Sequence, residues 1–560
     1  MKQYRLLDCT LRDGGYLNDW NFGRDTITTI FERLVSAGVD FIEVGFLNES
    51  RGFDPERTIQ PDTKSFDAVF GGMNKGNTRL VAMIDYGTCA LSNLAPCAET
   101  CLDGIRVIFK KEKLIPAMAF CKEVKALGYQ VFAQLVSITS YDDAELKEAV
   151  DLANDVHPYA LSMVDSYGLC NAPTLAHYIQ IIDGLLDPDI CLGYHAHNNF
   201  QLGYANAISV LGFGLERDVL VDGTLYGMGK SAGNAPLELL AMDMNLNFGT
   251  AYNTAQIQEA ISICILDLYH KKPWGYTLFY YIAASNRCHP DYVSFLMNKR
   301  TLSVSAVSEI LRKIPEEEKL QKNMKLIENL YLEYQKKECD DAEAVSVLRR
   351  KLAGKDVLII GPGRSAQTER EKILTCIETR RPVVIAINYI PVGIPVDYVF
   401  LTNARRFLQM SSELAKEGEK RVPVIATSNL CGTEDAFDHV VNFCRLIDET
   451  EEFPDNSMKM LIRLLAELSC RMVLLAGLDG YSADTINYFD ANKEYSFVKE
   501  RADSLNGSAK RFFREISDRI GIGFVTKSFY QEQDIKPQDP VAETIHPQGK
   551  TYDKESERYN

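Results

Sequence analysis

The sequence predicts an α/β protein with two domains, an N-terminal (β/α)8 TIM barrel with a helical extension and a smaller doubly wound, Rossmann-like domain. Three observations predict this fold. Apolar runs alternate with amphipathic stretches through the first half, a second alternation starts at Lys355, and the first strand runs into TLRDGG instead of GxGxxG. The predicted bounds are 1–250 for the barrel, 251–352 for the extension, 353–530 for the second domain and 531–560 for a polar tail.

Eight candidate strands fall within about the first 225 residues, which is the number that closes a barrel. Helical patterns separate them, as in DTITTIFERLVSAG, where Gly38 predicts a C-terminal cap. A Rossmann sheet would instead be open, with about six strands. The predicted strands start at Tyr4, Asp40, Thr78, Gly104, Tyr129, Tyr159, Cys191 and Asp218.

The composition limits the classes of function. With 46% hydrophobic and 25% charged residues, the 560-residue chain is globular and too long for one core. Its 61 basic and 77 acidic residues give a net charge of −16, which argues against broad nucleic-acid or anionic-membrane binding. Because there is no long apolar run and no signal-peptide pattern, we expect a soluble, cytoplasmic protein. In that compartment the 14 cysteines should be reduced thiols.

Polar residues gather where the predicted barrel strands end, and barrel active sites lie at these ends. Arg12 and Asp13 follow the first strand, and His195 and His197 lie on the seventh. Residues two apart on a strand share a face, so both imidazoles project into one space. Together with the Asp13 carboxylate they suit a divalent metal that keeps open positions for substrate oxygens. The alternatives are structural histidines and an Asp13 that caps the following helix.

A glutamate, Glu43, lies inside the otherwise apolar strand FIEVGF. A buried carboxylate is unfavourable unless it is paired, and we expect Arg12 from the adjacent strand to pair with it. An ordinary ion pair at the barrel rim is the alternative interpretation of Arg12. Other polar residues at predicted strand ends are Asp165, Ser166, Asp222 and Thr224.

Four motifs in the first 245 or so residues, LLDCTLRDGG, FIEVGF, HAHNNFQLGYANA and DGTLYGMGKSAGNAPLE, resemble the DRE-TIM metallolyase superfamily. That superfamily includes 4-hydroxy-2-oxovalerate aldolases, hydroxymethylglutaryl-CoA lyases and isopropylmalate or citramalate synthases, and the likeness is greatest to the aldolase branch. The resemblance implies that Arg12 stabilises an enolate. It also implies metal ligation by Asp13, His195 and His197, with Asn234 as a further ligand.

These residue types support a defined chemistry. Making or breaking a carbon–carbon bond beside a ketone passes through an enolate, whose oxygen a divalent metal and an arginine can stabilise. Oxygen and nitrogen ligands with open positions suit Mn²⁺ or Mg²⁺. We therefore expect a metal-dependent aldolase, or carbon–carbon lyase, whose partners are a 2-oxo acid and an aldehyde.

Two tyrosines are further candidates for the catalytic site. Where the related aldolases have a histidine that takes the hydroxyl proton, this chain has Tyr16, which could orient a metal-bound water, act as a base of perturbed pKa, or form the pocket wall. Tyr280 lies in KPWGYTLFYYIAASNRCHPDY, which resembles the helical extension of related aldolases. The resemblance places Tyr280 near a tyrosine implicated in substrate handling, and packing in an aromatic cluster is the alternative.

The second domain has its own candidate site. GPGRS directly follows DVLII, an order that can place Gly361, Gly363 and Ser365 against a phosphate; a tight turn with a packing glycine is the alternative. GPGRS, AINYIPVGIPVDYVFLTNARR and LLAGLDGYS resemble sialyltransferase-like and motility-associated glycosyltransferase families. This likeness implies a nucleotide-sugar ligand and a place in surface polysaccharide or sugar-acid biosynthesis.

Two other functions remain open from the sequence. One is a Claisen-type condensing enzyme or lyase that uses an acyl-CoA, although no CoA groove can be identified in the residues. The other is a non-catalytic barrel fused to a nucleotide-sugar-binding domain. The family resemblance further implies a homo-oligomer, and we expect neither a nucleic-acid nor a membrane partner.

Overall fold

The computed structural model divides into two compact units, Met1–Pro290 and Asp291–Asn560, and this division falls within the predicted helical extension. The described residues are 2–299, 302–336, 338–414, 421–430, 437–448, 450–451, 453–485, 487–488, 499 and 501–531. The predicted polar tail therefore lies almost wholly outside the described residues.

Eight parallel strands close a barrel in the first unit, which confirms the predicted fold. The order is β1-β9-β8-β7-β6-β5-β4-β2, and pairing of β1 with β2 closes the ring. A two-residue strand, β3, pairs with β2 outside this ring. The strands are β1 Tyr4–Asp8, β2 Phe41–Leu47, β3 Ile59–Gln60, β4 Arg79–Asp85, β5 Gly104–Phe109, β6 Gln130–Val136, β7 Ala160–Asp165, β8 Cys191–Ala196 and β9 Val219–Gly223.

Helices pack around the barrel, and their ends follow the local sequence. Gly38 adopts a left-handed conformation (φ 77°) and its N–H caps the first long helix, as predicted. Asp142 and Glu145 form a reciprocal capping box at another helix start. The longer helices of the first unit are Arg24–Ala37, Thr63–Phe70, Leu114–Ala126, Asp143–Val156, Ala172–Leu185, Gly203–Leu211, Leu237–Asn247, Thr254–Ala260, Leu266–Lys271 and Leu278–Ser285.

The barrel interior has an apolar layer and a charged layer. Phe41, Val81, Phe132 and Leu220 are fully buried in one cluster of side chains. Because residues two apart on a strand share a face, Glu43 lies next to Phe41 in the interior, nearer the carboxyl end of its strand. The polar interior layer therefore belongs to the rim at which barrel enzymes place their active sites.

The second unit contains a parallel seven-stranded sheet in the order β14-β13-β12-β11-β10-β15-β16, as expected for a doubly wound domain. The strands are β10 Asp356–Ile360, β11 Val383–Ile387, β12 Tyr398–Leu401, β13 Val424–Thr427, β14 His439–Val441, β15 Met472–Ala476 and β16 Gly521–Phe524. The longer helices from the unit boundary onward are Pro290–Lys299, Val304–Arg312, Met324–Gln335, Ala342–Leu352, Arg370–Arg380, Ala404–Leu414, Ser457–Glu467 and Ala502–Ile516.

Within the described residues, no helix combines the length and the apolar character needed to cross a bilayer. The cysteines of the described part of the chain are free thiols, several of them buried.

Candidate metal centre

The carboxyl ends of β1 and β8 carry the predicted metal ligands. Asp13 ends the short helical turn Thr10–Asp13 that follows β1, while His195 lies in β8 and His197 immediately after it. One ligand atom from each of the three side chains lies within 4.8 Å of those from the other two, and all three residues are buried. The pleat of β8 places both imidazoles on one side of the strand, as predicted, with ring centroids 5.1 Å apart.

Arg12 lies at the centre of a buried ion-pair network. Its Nε donates to Glu43 Oε2 at 2.6 Å, which is the expected pairing, and its Nη1 donates to Asp13 Oδ2. Arg12 Nη2 has no hydrogen-bond acceptor among the described residues. One N–H edge of this guanidinium can therefore interact with a ligand.

A second buried arginine, Arg106, extends the network across the barrel. Arg106 Nη1 lies 3.1 Å from Glu43 Oε2, and Arg106 Nη2 donates to Asp222 Oδ2. Asp222 Oδ2 also lies 3.0 Å from His195 Nδ1, and His195 Nε2 lies 3.7 Å from Asp13 Oδ2. Together with Arg12, these contacts form a closed ring of arginine, carboxylate and imidazole side chains beneath the rim.

The Nδ1 atoms of both imidazoles face hydrogen-bond acceptors. His197 Nδ1 lies 3.0 Å from the Lys230 carbonyl oxygen, and His195 Nδ1 faces the Asp222 carboxylate. Neither partner has a hydrogen to donate, so in the neutral rings Nδ1 carries the proton and Nε2 keeps its lone pair. The two rings thus present Nε2 as a ligand atom.

Asn234 adds an oxygen beside these atoms. Its Nδ2 donates to Asp13 Oδ1 at 3.0 Å, whereas its buried Oδ1 has no hydrogen-bond partner among the residues that the structure describes. A buried carbonyl oxygen without a donor is unfavourable unless a water or an ion satisfies it. One carboxylate, two imidazole nitrogens and one amide oxygen fit a divalent metal.

Burial and nearby charges set the protonation states in the ring. Burial alone would raise the pKa of Asp13, but Arg12 and the two imidazoles hold it well below its usual range. Burial lowers the pKa of His197 to about 3. Asp13 is therefore an anion and His197 a neutral base at physiological pH, which are the forms that bind metals.

Tyr16 lies beside this network, and Tyr280 does not contact it. Although 39% of Tyr16 is exposed, desolvation of its hydroxyl raises the pKa to about 12, so the phenol is protonated at neutral pH. The raised pKa favours a Tyr16 that orients a metal-bound water or forms the pocket wall over a Tyr16 that acts as a base. Tyr280 packs edge-on against Phe279 and makes no polar contact with the rim in the described part of the chain. Its predicted role in substrate handling stays a prediction.

The glycine-rich turn of the second unit packs against the end of β15. The Gly363 N–H donates to the Gly477 carbonyl at 2.7 Å. A Cβ at Gly361 would lie 2.6 Å from the same oxygen. Ser365 donates through both its N–H and its hydroxyl to Asp479. A carboxylate of the chain itself thus occupies donors that a phosphate would need, which favours the alternative of a packing turn.

Two members of the ring, Arg106 and Asp222, have no role that a sequence motif indicates. Arg106 is a completely buried charged residue in the apolar strand GIRVIF. A charged residue inside an apolar strand is also the pattern that indicated a buried partner for Glu43. Asp222 was noted only as a polar strand end. Their contact joins residues 116 positions apart, which no local pattern could predict.

A closed parallel barrel with imidazoles, a carboxylate and an arginine at its rim defines a metal-dependent enzyme of the lyase and aldolase class. Residues 3–263 match the family model described as HMGL-like, and this part of the chain is an HMGL-like domain.

Enzymes that are similar to part of this chain carry several names. An oxaloacetate decarboxylase of Mycobacterium tuberculosis is 27% identical over 42% of this chain and 68% of its own length. A 4-hydroxy-2-oxovalerate aldolase of Chloroflexus aurantiacus is 28% identical over 43% of this chain and 69% of its own. The structure of hydroxymethylglutaryl-CoA lyase from Pseudomonas aeruginosa aligns over 47% of this chain and 93% of that one, with 18% identity and a TM-score of 0.40.

Proposed function

We propose that the barrel makes or cleaves a 2-oxo acid by an aldol reaction, like a 4-hydroxy-2-oxovalerate aldolase. The convergence of the Asp13 carboxylate with two imidazoles whose Nδ1 atoms face acceptors carries this proposal. With Asn234, these residues would hold Mn²⁺ or Mg²⁺. The bound metal supplies Lewis-acid polarisation of the ketone.

Arg12 has a separate task in this proposal. Glu43 and Asp13 fix its guanidinium from two sides, and its Nη2 is left to donate to the oxygen of the enolate. Because the arginine is already oriented and mostly desolvated, little reorganisation is needed when charge develops on the substrate.

Decarboxylation of a 2-oxo diacid is a second candidate reaction. Retro-aldol cleavage needs a base for the hydroxyl proton, and the raised pKa of Tyr16 disfavours it in that role. Loss of CO₂ beside a ketone needs the same enolate stabilisation but no hydroxyl deprotonation. The similarity to an enzyme named oxaloacetate decarboxylase supports this candidate.

The decisive assay measures pyruvate released from 4-hydroxy-2-oxovalerate and, in parallel, from oxaloacetate, with Mn²⁺ and with a chelator. We expect Mn²⁺-dependent release in the complete chain and a loss of 10²-fold or more in His195→Ala, which should remain folded because it changes one rim ligand. Spontaneous oxaloacetate decay in buffer with Mn²⁺ is subtracted. Full activity of His195→Ala would reject the metal assignment.

The same assay separates the remaining alternatives. Turnover only with an acyl-CoA would support a condensing enzyme or a CoA-dependent lyase. Absence of all turnover in a protein that binds a nucleotide sugar would support a non-catalytic barrel.

We further propose that the second unit binds a nucleotide sugar and that the protein acts in surface polysaccharide or sugar-acid biosynthesis. A cavity of about 670 Å³ supports a ligand site in this unit. Its walls include residues after β10, β11 and β15, at the carboxyl edge where the strand order reverses. Ligands of doubly wound sheets bind at such a crevice. Asn388, Asn403 and Ser457 are among its polar residues.

In this proposal residues 1–250 catalyse, residues 251–352 form a helical extension and residues 353–530 bind the nucleotide sugar. Assembly of several copies into a homo-oligomer remains part of the proposal.

A further inference from the structure

The Asp222 carboxylate connects the predicted metal centre to the charged interior of the barrel. It lies in β9 and is 3% exposed. Its Oδ2 accepts from His195 Nδ1 at 3.0 Å and from Arg106 Nη2. A ligand imidazole and a buried guanidinium therefore share one oxygen.

This contact determines which nitrogen of His195 can bind a metal. In water the neutral imidazole of histidine exists as two tautomers, and a ring with its proton on Nε2 has no lone pair there to donate. An acceptor fixed beside Nδ1 selects the tautomer with the proton on Nδ1. At His197 the Lys230 carbonyl makes the equivalent contact. At His195 the acceptor is a side chain, so a substitution can remove it.

Arg106 fixes the acceptor itself. It is completely buried, and it bridges Asp222 to Glu43. Through Glu43 it also reaches Arg12, the proposed enolate-binding group. Arg106 thus restrains the carboxylate that orients the imidazole, while the ion pair offsets part of the cost of burying both charges.

We propose that Asp222, held by Arg106, is a positioning residue that keeps His195 with Nδ1 protonated and Nε2 directed toward Asp13. The inference rests on the proposed metal centre for its functional meaning. The tautomer itself is a property of the metal-free chain and can be measured without turnover.

The test is nitrogen NMR of the complete protein with ¹⁵N-labelled histidine rings, in the absence of metal and at about pH 9, where imidazole rings are neutral, with the His195 signals assigned by His195→Gln. We expect protonated Nδ1 and unprotonated Nε2 in the wild-type chain. Asp222→Ala should shift His195 toward the Nε2-protonated tautomer. Asp222→Asn, whose amide oxygen can still accept from Nδ1, should keep the wild-type pattern.

Mn²⁺ affinity, measured by electron paramagnetic resonance of free Mn²⁺, gives a second readout. Loss of a carboxylate that orients a ligand histidine weakens metal binding by about 10- to 100-fold, and we expect this for Asp222→Ala. Asp222→Asn should recover most of the affinity. Asp8→Asn is the control, because it alters another fully buried carboxylate, which accepts hydrogen bonds from Thr10 and not from His195, and should leave tautomer and affinity unchanged.

Asp222→Ala leaves the Arg106 guanidinium without one of its partners, which can prevent folding. The double variant Arg106→Met with Asp222→Ala removes the ion pair together and should be better tolerated. Circular dichroism shows which of the two variants folds, and the tautomer of His195 and the Mn²⁺ affinity are measured on that variant. A retained Nδ1-protonated His195 with wild-type Mn²⁺ affinity would overturn the inference.

The results that would contradict the proposed metal centre differ from those that would contradict the role of Asp222. If His195→Ala keeps wild-type Mn²⁺ affinity, the metal assignment fails whatever the tautomer is. If His195→Ala loses affinity while Asp222→Ala does not, the centre stands and only the role of Asp222 fails.

Discussion

Two aspartates, one at the end of β1 and one in the turn that follows it, differ in charge because their neighbours differ. Burial, and to a smaller extent the nearby Glu43 and Asp222 carboxylates, raises the pKa of Asp8 to about 7, and within the described part of the chain only Thr10 donates hydrogen bonds to it. Asp13, five residues later, faces Arg12 and two imidazoles and has a pKa far below the usual range. The sequence shows two identical side chains, whereas their surroundings give them different chemistry.

The raised pKa of Asp8 predicts a pH-dependent stability. The folded chain binds a proton at Asp8 that the unfolded chain, with a pKa near 3.8, releases. The resulting stabilisation is complete below about pH 4 and disappears as pH rises through 7. The side chain introduced by Asp8→Asn does not titrate. The free energy of unfolding of Asp8→Asn minus that of the wild type should therefore rise by about 3 kcal/mol between pH 5 and pH 8. The measurement is urea unfolding of the barrel at each pH.

A pH-independent difference between Asp8→Asn and wild type would contradict the raised pKa. A constant offset is expected in addition, because the amide replaces one oxygen that accepts from Thr10.

At the scale of an element, a bulge in β2 shapes the rim. The register of β2 against β4 shifts between Glu43 and Gly45, where a Cβ on Gly45 would meet the Thr58 carbonyl oxygen at 1.8 Å. The Thr58 hydroxyl donates to the Leu11 carbonyl at 2.6 Å, beside the turn that carries Arg12. A side chain at Gly45 would therefore disturb the rim.

We expect Gly45→Ala to destabilise the protein by about 1 to 3 kcal/mol, because the methyl group cannot fit without moving Thr58. The measurement is the free energy of unfolding in urea. Gly72→Ala is the matched control, since a Cβ at Gly72 meets nothing within 4 Å and should change stability by about 0.5 kcal/mol or less. Equal effects of the two substitutions would refute the steric argument.

At the scale of the whole molecule, the proposed sites separate between the two units. Each proposed catalytic and metal-binding residue, from Arg12 to Tyr280, precedes Pro290, and the cavity of the second unit is lined by residues that follow it. Each unit also has its own sheet and apolar core. Either unit thus has the components for its proposed task.

This separation predicts independent activities. A chain that ends at Pro290 should release pyruvate with a kcat/KM within a few-fold of the complete protein. A chain that starts at Asp291 should bind UDP-N-acetylglucosamine or CMP-N-acetylneuraminate in calorimetry, with full-length protein as the reference. An inactive but folded first fragment would show that catalysis needs the second unit, and no heat with either nucleotide sugar would contradict the proposed ligand.

The sequence by itself determined the strand count of the barrel, the parallel sheet of the second unit and the shared face of His195 and His197. Periodicity and strand parity are local properties, and neighbouring residues carry them. A carboxylate inside an apolar strand also predicted that Glu43 has a charged partner.

Only the tertiary structure decided which charges meet inside the barrel. Arg106 and Asp222 come from strands far apart in the chain, and closure of the sheet brings them together beneath His195. The difference in pKa between Asp8 and Asp13, and the carboxylate of Asp479 against Ser365, arise in the same way. Such contacts depend on how distant strands close and on what each buried group then faces, and no short stretch of sequence contains that information.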